Sequence, residues 1–163
     1  MTNGKNDLLG DFGAAFSPCR NYRYALWRWW DKDKPYAMFV GLNPSTADET
    51  LDDPTIRRCK RFASDWGYGG LVMTNLFAIR ATDPKVMLAH SDPVGVENDD
   101  YLRDLARHAA LVVAAWGAHG GHQGRDEDVL RLIPGVHHLG LTKAGKPRHP
   151  LYLRADSRPA LLT

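Results

Sequence analysis

Cysteine is scarce in this chain, with Cys19 and Cys59 the only two in 163 residues. Two isolated cysteines cannot frame a zinc site, and a single disulfide is possible but not needed by a chain long enough to bury a core. Their scarcity suits a reducing compartment, so a cytoplasmic location is expected. An excess of charge of one sign is missing too. Lys and Arg number 21 against 19 acidic residues, for a net charge of +2, so the total does not by itself draw the chain to nucleic acid. Long hydrophobic runs are absent. Nothing approaches the roughly 20 apolar residues that span a bilayer, and the polar amino terminus has no secretion-signal core. Membrane partners are therefore not expected, and no internal repeat or low-complexity segment is visible.

What is present is a 44% hydrophobic chain that reads as one domain over 19–163, after a Gly-, Asn- and Asp-rich arm over 1–18 that is expected to be weakly ordered. Tyr22 to Trp30 alternates aromatic and apolar residues with Arg23 and Arg28, the pattern of a half-exposed strand. A short turn leads to Tyr36–Leu42, which is expected to pair antiparallel with it, because so short a connection cannot make a parallel crossover. Three further apolar runs, Gly70–Leu76, Ala110–Trp116 and Val136–Leu141, read as core strands. Helical patterns lie between them: Asp53-Pro54 opens a helix that Gly67 stops, and others cover Pro84 to His90, Val96 to His108 and Asp126 to Leu132. This alternation predicts an α/β fold, a three-layer α/β/α sandwich around a mostly parallel four-stranded sheet with an added N-terminal antiparallel strand.

Ligands of such sheets bind beyond the strand carboxyl ends. The polar turns after Leu42, Met73, Ala115 and Leu141 are thus expected on one rim. Asn43 follows the first strand, and Pro44 restricts it to an extended backbone, so its amide is aimed; a turn residue bonded by its own side chain is the plainer alternative. Asp48 is a nearby carboxylate. Asn75 ends the second strand and can offer a donor and an acceptor, either to a ligand or as a cap. Phe77 and Trp116 can stack on a planar ligand or serve as core. His149 can donate a hydrogen bond, and Lys143, Lys146 and Arg148 give its loop a basic character. His119 and His122 lack a third nearby ligand, so no metal site is predicted.

The rim residues carry a resemblance. Gly41-Leu42-Asn43-Pro44-Ser45, Thr74-Asn75-Leu76, Trp116-Gly117 and His149-Pro150-Leu151-Tyr152 resemble, in this order, the motifs of the uracil-DNA glycosylase superfamily, above all its mismatch-specific branch. From about Tyr22 onward the chain more closely resembles the DUF1643 family of bacteria and phages, through Asn43-Pro44-Ser45-Thr46-Ala47-Asp48, Asp53-Pro54-Thr55-Ile56-Arg57-Arg58-Cys59, the run from Asn75 to Pro84, Leu141-Thr142-Lys143 and Pro147 to Leu153. That family name carries no activity.

The glycosylase resemblance implies a uracil-DNA glycosylase-like fold and a metal-free, cofactor-free enzyme that flips a nucleotide and hydrolyses its base–sugar bond. Asn43 would position water, with Asp48 as a substitute base and His149 donating to the departing base. Asn75, Phe77 and Trp116 would bind the base. Ser45, Lys143, Lys146, Arg148, Leu151 and Tyr152 would meet DNA, the expected partner, with no obligatory protein partner. The loop after Asn43 lacks a second glycine or the tyrosine-histidine pair of well-known branches, and Leu151-Tyr152 replaces a serine-containing continuation. These departures point away from plain uracil and towards a bulky modified pyrimidine, with the small residues Gly117-Ala118-His119-Gly120-Gly121 leaving room. A non-catalytic nucleic-acid-binding module and an enzyme of free or modified nucleotides are the alternatives.

Overall fold

A computed structural model describes residues 10–163. The chain is a mixed α/β structure built on one seven-stranded sheet. Its strands are β1 (Phe12–Phe16), β2 (Arg23–Trp29), β3 (Tyr36–Gly41), β4 (Gly70–Asn75), β5 (Leu111–Ala114), β6 (His137–His138) and β7 (Ala160–Leu161). Among the described residues four α-helices accompany them: α1 (Pro54–Asp65), α2 (Pro84–Ala89), α3 (Asn98–His108) and α4 (Arg125–Leu132). The strand order is β1-β2-β4-β3-β5-β6-β7. The pairings β4–β3, β3–β5 and β5–β6 are parallel, whereas β1–β2, β2–β4 and β6–β7 are antiparallel.

Alternation along the strands sorts the core into two halves, since successive strand side chains point to opposite faces. Met38, Val40, Val72, Val112 and Ala114 join Met87 of α2, Leu102 and Leu105 of α3 and Val129 of α4. Phe39, Leu71, Met73, Val113 and Ala115 join Ile56, Cys59 and Phe62 of α1. Helix α1 thus covers one face and the other three helices the opposite one. Both proline-started helices are capped: the Asp53 carboxylate accepts from Ile56 N–H, and that of Asp83 from Lys85 N–H, which satisfies donors the first turn leaves free.

Three expectations need correction. β2 does not pair with β3; β4 lies between them. The short-connection rule forbids a parallel crossover, but crossing one intervening strand needs only about 10 Å, two inter-strand spacings. The 30–35 turn does this by wrapping over Gly69, whose carbonyl accepts from Trp30 and Asp31 N–H and whose own N–H donates to Pro35. A Cβ at Gly69 would lie 1.9 Å from the Asp31 carbonyl oxygen, so no side chain fits there.

Next, β2 is almost entirely buried, with Arg23 and Arg28 only 2% and 6% exposed. The 47–52 segment covers it, and Arg28 donates to the carbonyls of Asp48, Glu49 and Leu51 and to the Asp52 carboxylate. Finally, part of the expected N-terminal arm is strand. Phe12–Phe16 supplies the apolar run that closes the outer edge of β2; positions 1–9 lie outside the described residues.

Candidate functional site

The parallel strands β4, β3 and β5 end side by side, Asn75 directly opposite Gly41. Above these ends, on the α1 side, is a cleft of about 400 Å³. Met73, Asn75, Gly41 and Ala115 line it from the sheet, the 42–46 turn and Ala81-Thr82 from one side, and the first turn of α1 from the other, with Arg23, His149 and Leu151 completing it. The position suits a ligand, because the chain passes from β3 to β4 on one side and then crosses back from β4 to β5 on the other side of β3, a reversal that opens a crevice at the carboxyl edge.

Asn43 is fixed by its amide nitrogen, which donates to the carbonyls of Ala81 at 2.8 Å and Pro44 at 3.1 Å. Two carbonyl partners determine which end is nitrogen, so Oδ1 is the group left to accept. Ala81 N–H returns a bond to the Pro44 carbonyl, and Ser45 Oγ lies 3.2 Å from Thr82 Oγ1, lacing the two turns together. Asn75 is 2% exposed, and its Nδ2 has no partner among the described residues. A buried amide donor left without an acceptor costs free energy, about 1–3 kcal/mol, unless a ligand supplies one. Gly41 makes its placement possible: a Cβ there would meet Asn75 Oδ1 at 2.9 Å and Met73 Cε at 2.8 Å.

His149 reaches the cleft on a loop held to the end of β5 by the bond from Gly117 N–H to the Pro147 carbonyl, and to α1 by Arg58 donating to the Leu153 carbonyl. Its Nδ1 accepts from Leu151 N–H at 3.2 Å. Burial pushes the imidazole pKa below its ordinary value, against the opposing pull of the Asp53 carboxylate. At neutral pH the ring is therefore uncharged with its proton on Nε2, a hydrogen-bond donor.

Two cleft residues escaped the sequence reading. Asp53 is more than a cap: Oδ1 receives Ile56 N–H, and the residue also lines the cleft. Asp-Pro before an apolar-periodic segment signals the cap but nothing of the cleft. Arg23 also lines it, donates from Nη1 to the Ala47 carbonyl at 3.0 Å, and leaves Nε unpartnered among the described residues. Burial lowers its pKa to about 10, with the Asp53 carboxylate pulling the other way. In sequence it looked like the polar side of a half-exposed strand.

Of the expected site residues, the cleft gathers Asn43, Ser45, Asn75, His149 and Leu151. Asp48 lies outside it. Its Oδ1 accepts from Thr50 and Leu51 N–H, and these bonds hold its carboxyl below the ordinary carboxylate range while closing the 48–51 turn. Phe77 and Trp116 are core residues of the opposite face, fully or almost fully buried; Phe77 packs against His122, and Gly120 lies against the Trp116 ring. The chain turns both side chains away from the cleft just past the strand ends, so neither is placed to stack on a ligand there. None of residues 117–121, expected to leave room for a bulky base, lines the cleft. Lys146 is paired with the buried Asp126 carboxylate at 2.7 Å. Lys143 and Arg148 are exposed, as is Tyr152, whose carbonyl accepts from Arg148.

Residues 23–151 match the family described as Protein of unknown function (DUF1643). The chain belongs to the DUF1643 family. The matched span begins at Arg23 and ends at Leu151, and so contains every residue that lines the cleft, while β1 and β7 of this DUF1643 protein lie outside it. No curated protein and no solved structure matches the chain. Among the described residues no cluster of three or more His, Cys, Asp or Glu is arranged to hold a metal ion, and no helix is long and apolar enough to cross a membrane.

Proposed function

We propose that this protein is a DNA glycosylase that hydrolyses the base–sugar bond of a flipped, damaged or modified pyrimidine, on a uracil-DNA glycosylase-like scaffold. The observation that carries the reading is the meeting of Asn43, Asn75 and His149, from three separate segments, in one cleft at the sheet's carboxyl edge.

Cleavage of this bond builds positive charge on the sugar and sends negative charge out with the base, so opposite demands fall on the two sides. Asn43 Oδ1 accepts a hydrogen bond from the attacking water. The Asp53 carboxylate takes the part expected of Asp48: it receives the water's proton as the water oxygen bonds to the sugar carbon and the carbon–nitrogen bond breaks, its electron pair leaving with the base. His149 donates from Nε2 to a base oxygen, and the base anion later takes a proton from solvent. The unpartnered Asn75 Nδ2 meets a base carbonyl. Leu42, Pro44, Met73 and Leu151, rather than aromatic rings, provide the apolar walls of the pocket. Lys143, Arg148 and the exposed Leu151 and Tyr152 lie on the DNA side, the last two filling the gap left by the extruded nucleotide.

The test is release of free base from a panel of plain, deaminated and hypermodified duplexes. Alkali-labile abasic sites formed on at least one modified duplex, and lost in Asn43→Ala and His149→Ala, support the reading. Binding of every duplex with none cleaved refutes it and leaves a non-catalytic module.

A further inference from the structure

We propose that Arg23 and the amino-terminal turn of α1 form a phosphate seat, so that the cleft recognises its ligand through a nucleotide phosphate as well as through a base. The inference goes beyond glycosidic hydrolysis, because it concerns binding alone and holds whether or not a bond is cleaved.

Two independent observations converge on it. The first is a buried cation without a counter-ion in contact. Arg23 is 2% exposed, and a single backbone carbonyl is the only acceptor its side chain has among the described residues. Arg28, its neighbour along β2, is by contrast neutralised by Asp52 at 2.8 Å. Burial opposes the charge of Arg23 most, and Arg80 and Arg28 add to that opposition; the Asp53 and Asp48 carboxylates favour the charge from a distance, but neither forms an ion pair with it among the described residues. A guanidinium in that setting is costly to keep ionised, and an arriving anion removes the cost while using donors that already exist.

The second observation is that the same cleft is lined by Asp53, Pro54, Thr55 and Ile56 at the start of the 12-residue α1. There the helix dipole favours negative charge, and the Thr55 N–H is one of the groups the helix itself leaves free. Ser45, Thr46, Thr55 and Thr82 add hydroxyls around the rim. The Asp53 carboxylate at this helix end sets a limit on the ligand. It disfavours a doubly charged anion, and so favours the single charge of a phosphodiester over the two of a terminal phosphate.

The experiment compares three ligands that share base and sugar: thymidine, the dinucleotide d(TpT) with one internal diester, and thymidine 5′-monophosphate. Calorimetric affinities are measured for the wild type, Arg23→Met and Arg23→Lys. Methionine fills the buried volume without charge, a replacement that folded proteins commonly tolerate. In the wild type d(TpT) is expected to bind at least tenfold more tightly than thymidine. That ratio should fall to near one in Arg23→Met and be partly kept in Arg23→Lys. Preference for d(TpT) over the monophosphate supports the seat and the limit that Asp53 sets on it; an Arg23-dependent preference for the monophosphate identifies a free nucleotide as the ligand, keeps the seat and overturns that limit. Equal binding of all three ligands, a ratio that survives Arg23→Met, or no binding of any phosphate-bearing ligand overturns it. Failure of base release alongside an Arg23-dependent ratio removes the glycosylase reading and leaves the seat standing.

Discussion

Asn43 shows why an amide rather than a carboxylate follows β3. Its nitrogen faces two carbonyl oxygens, those of Ala81 and Pro44, and a carboxylate would set negative charge against both while losing both bonds. Asn43→Asp is therefore expected to lower stability by about 1–3 kcal/mol, read as a shift in the denaturation midpoint, and not to accelerate base release. An unchanged midpoint would show that the laced turns do not depend on this amide. His149 makes a complementary case through pH. Its ring has a folded-state pKa below the ordinary 6.5 because it is partly buried. Above 6.5 both folded and unfolded states carry it neutral, so it contributes no pH dependence there. As pH falls below 6.5 the unfolded chain binds the proton first, and stability drops until the folded-state pKa is passed. Protonation also removes Nδ1 as the acceptor of Leu151 N–H. His149→Asn, which can still accept that bond, should show a flatter stability profile than the wild type between neutral pH and mildly acid pH in parallel denaturant titrations. Identical profiles would mean that the histidine is not buried in solution.

At the scale of elements, the start of α1 has two tasks, and substitution can separate them. Asparagine caps a helix about as well as aspartate, but it cannot take up a proton from water. Asp53→Asn should keep stability within a few tenths of a kcal/mol and abolish base release, whereas Asp53→Ala should lose roughly 1 kcal/mol as well. Full activity in Asp53→Asn would return Asp53 to a purely capping role. β3 and β4 are coupled in a similar way, since the absent side chain of Gly41 is what lets Asn75 lie across the strand end. Gly41→Ala is expected to cost about 1–3 kcal/mol by overpacking and to weaken base binding together with stability. These elements also mark how far the sequence could be read. Asp53-Pro54 and Gly67 bracketed α1 because caps and breakers act within a few residues, and the apolar runs of β3, β4 and β5 stood out by length. The β2–β4 pairing was not legible, because it depends on Gly69 passing under a turn that belongs to a different part of the chain. Arg23 was missed for the same reason: alternation places a residue on a face, but the burial of that face comes from the distant 47–52 segment. Asn43 and Asn75 were legible as rim residues because each stands at or just after a strand end, and His149 because of the His149-Pro150 motif, whereas Phe77 and Trp116, also near strand ends, were turned into the opposite core by the direction the chain takes afterwards.

For the whole molecule, a net charge of +2 means that any attraction to DNA has to come from where the free cations are. Many are already committed among the described residues: Arg28 and Lys60 to Asp52, Arg20 to Glu49, Arg125 to Asp99 and Lys146 to Asp126. Lys143 and Arg148 differ in being exposed on the loop that brings His149 to the cleft, with no carboxylate among the ion pairs of the described residues assigned to either. In the proposed function they are the cations that lead a duplex towards the cleft, beside the exposed Leu151 and Tyr152. Each phosphate neutralised releases condensed counter-ion, so the logarithm of affinity falls linearly with the logarithm of salt, with a slope near −0.9 for each contact on duplex DNA. If both residues meet phosphates, the Lys143→Ala, Arg148→Ala double variant should bind more weakly at low salt and show a slope shallower by roughly 1.8. Lys146→Ala should leave the slope unchanged and instead lower stability by exposing the buried Asp126 carboxylate without its partner. Fluorescence anisotropy over a salt series reads the slopes and thermal denaturation the stabilities. A double variant with the wild-type slope would mean that DNA, if it binds, approaches by another face, and the assignment of the 143–152 loop to the duplex would fall with it.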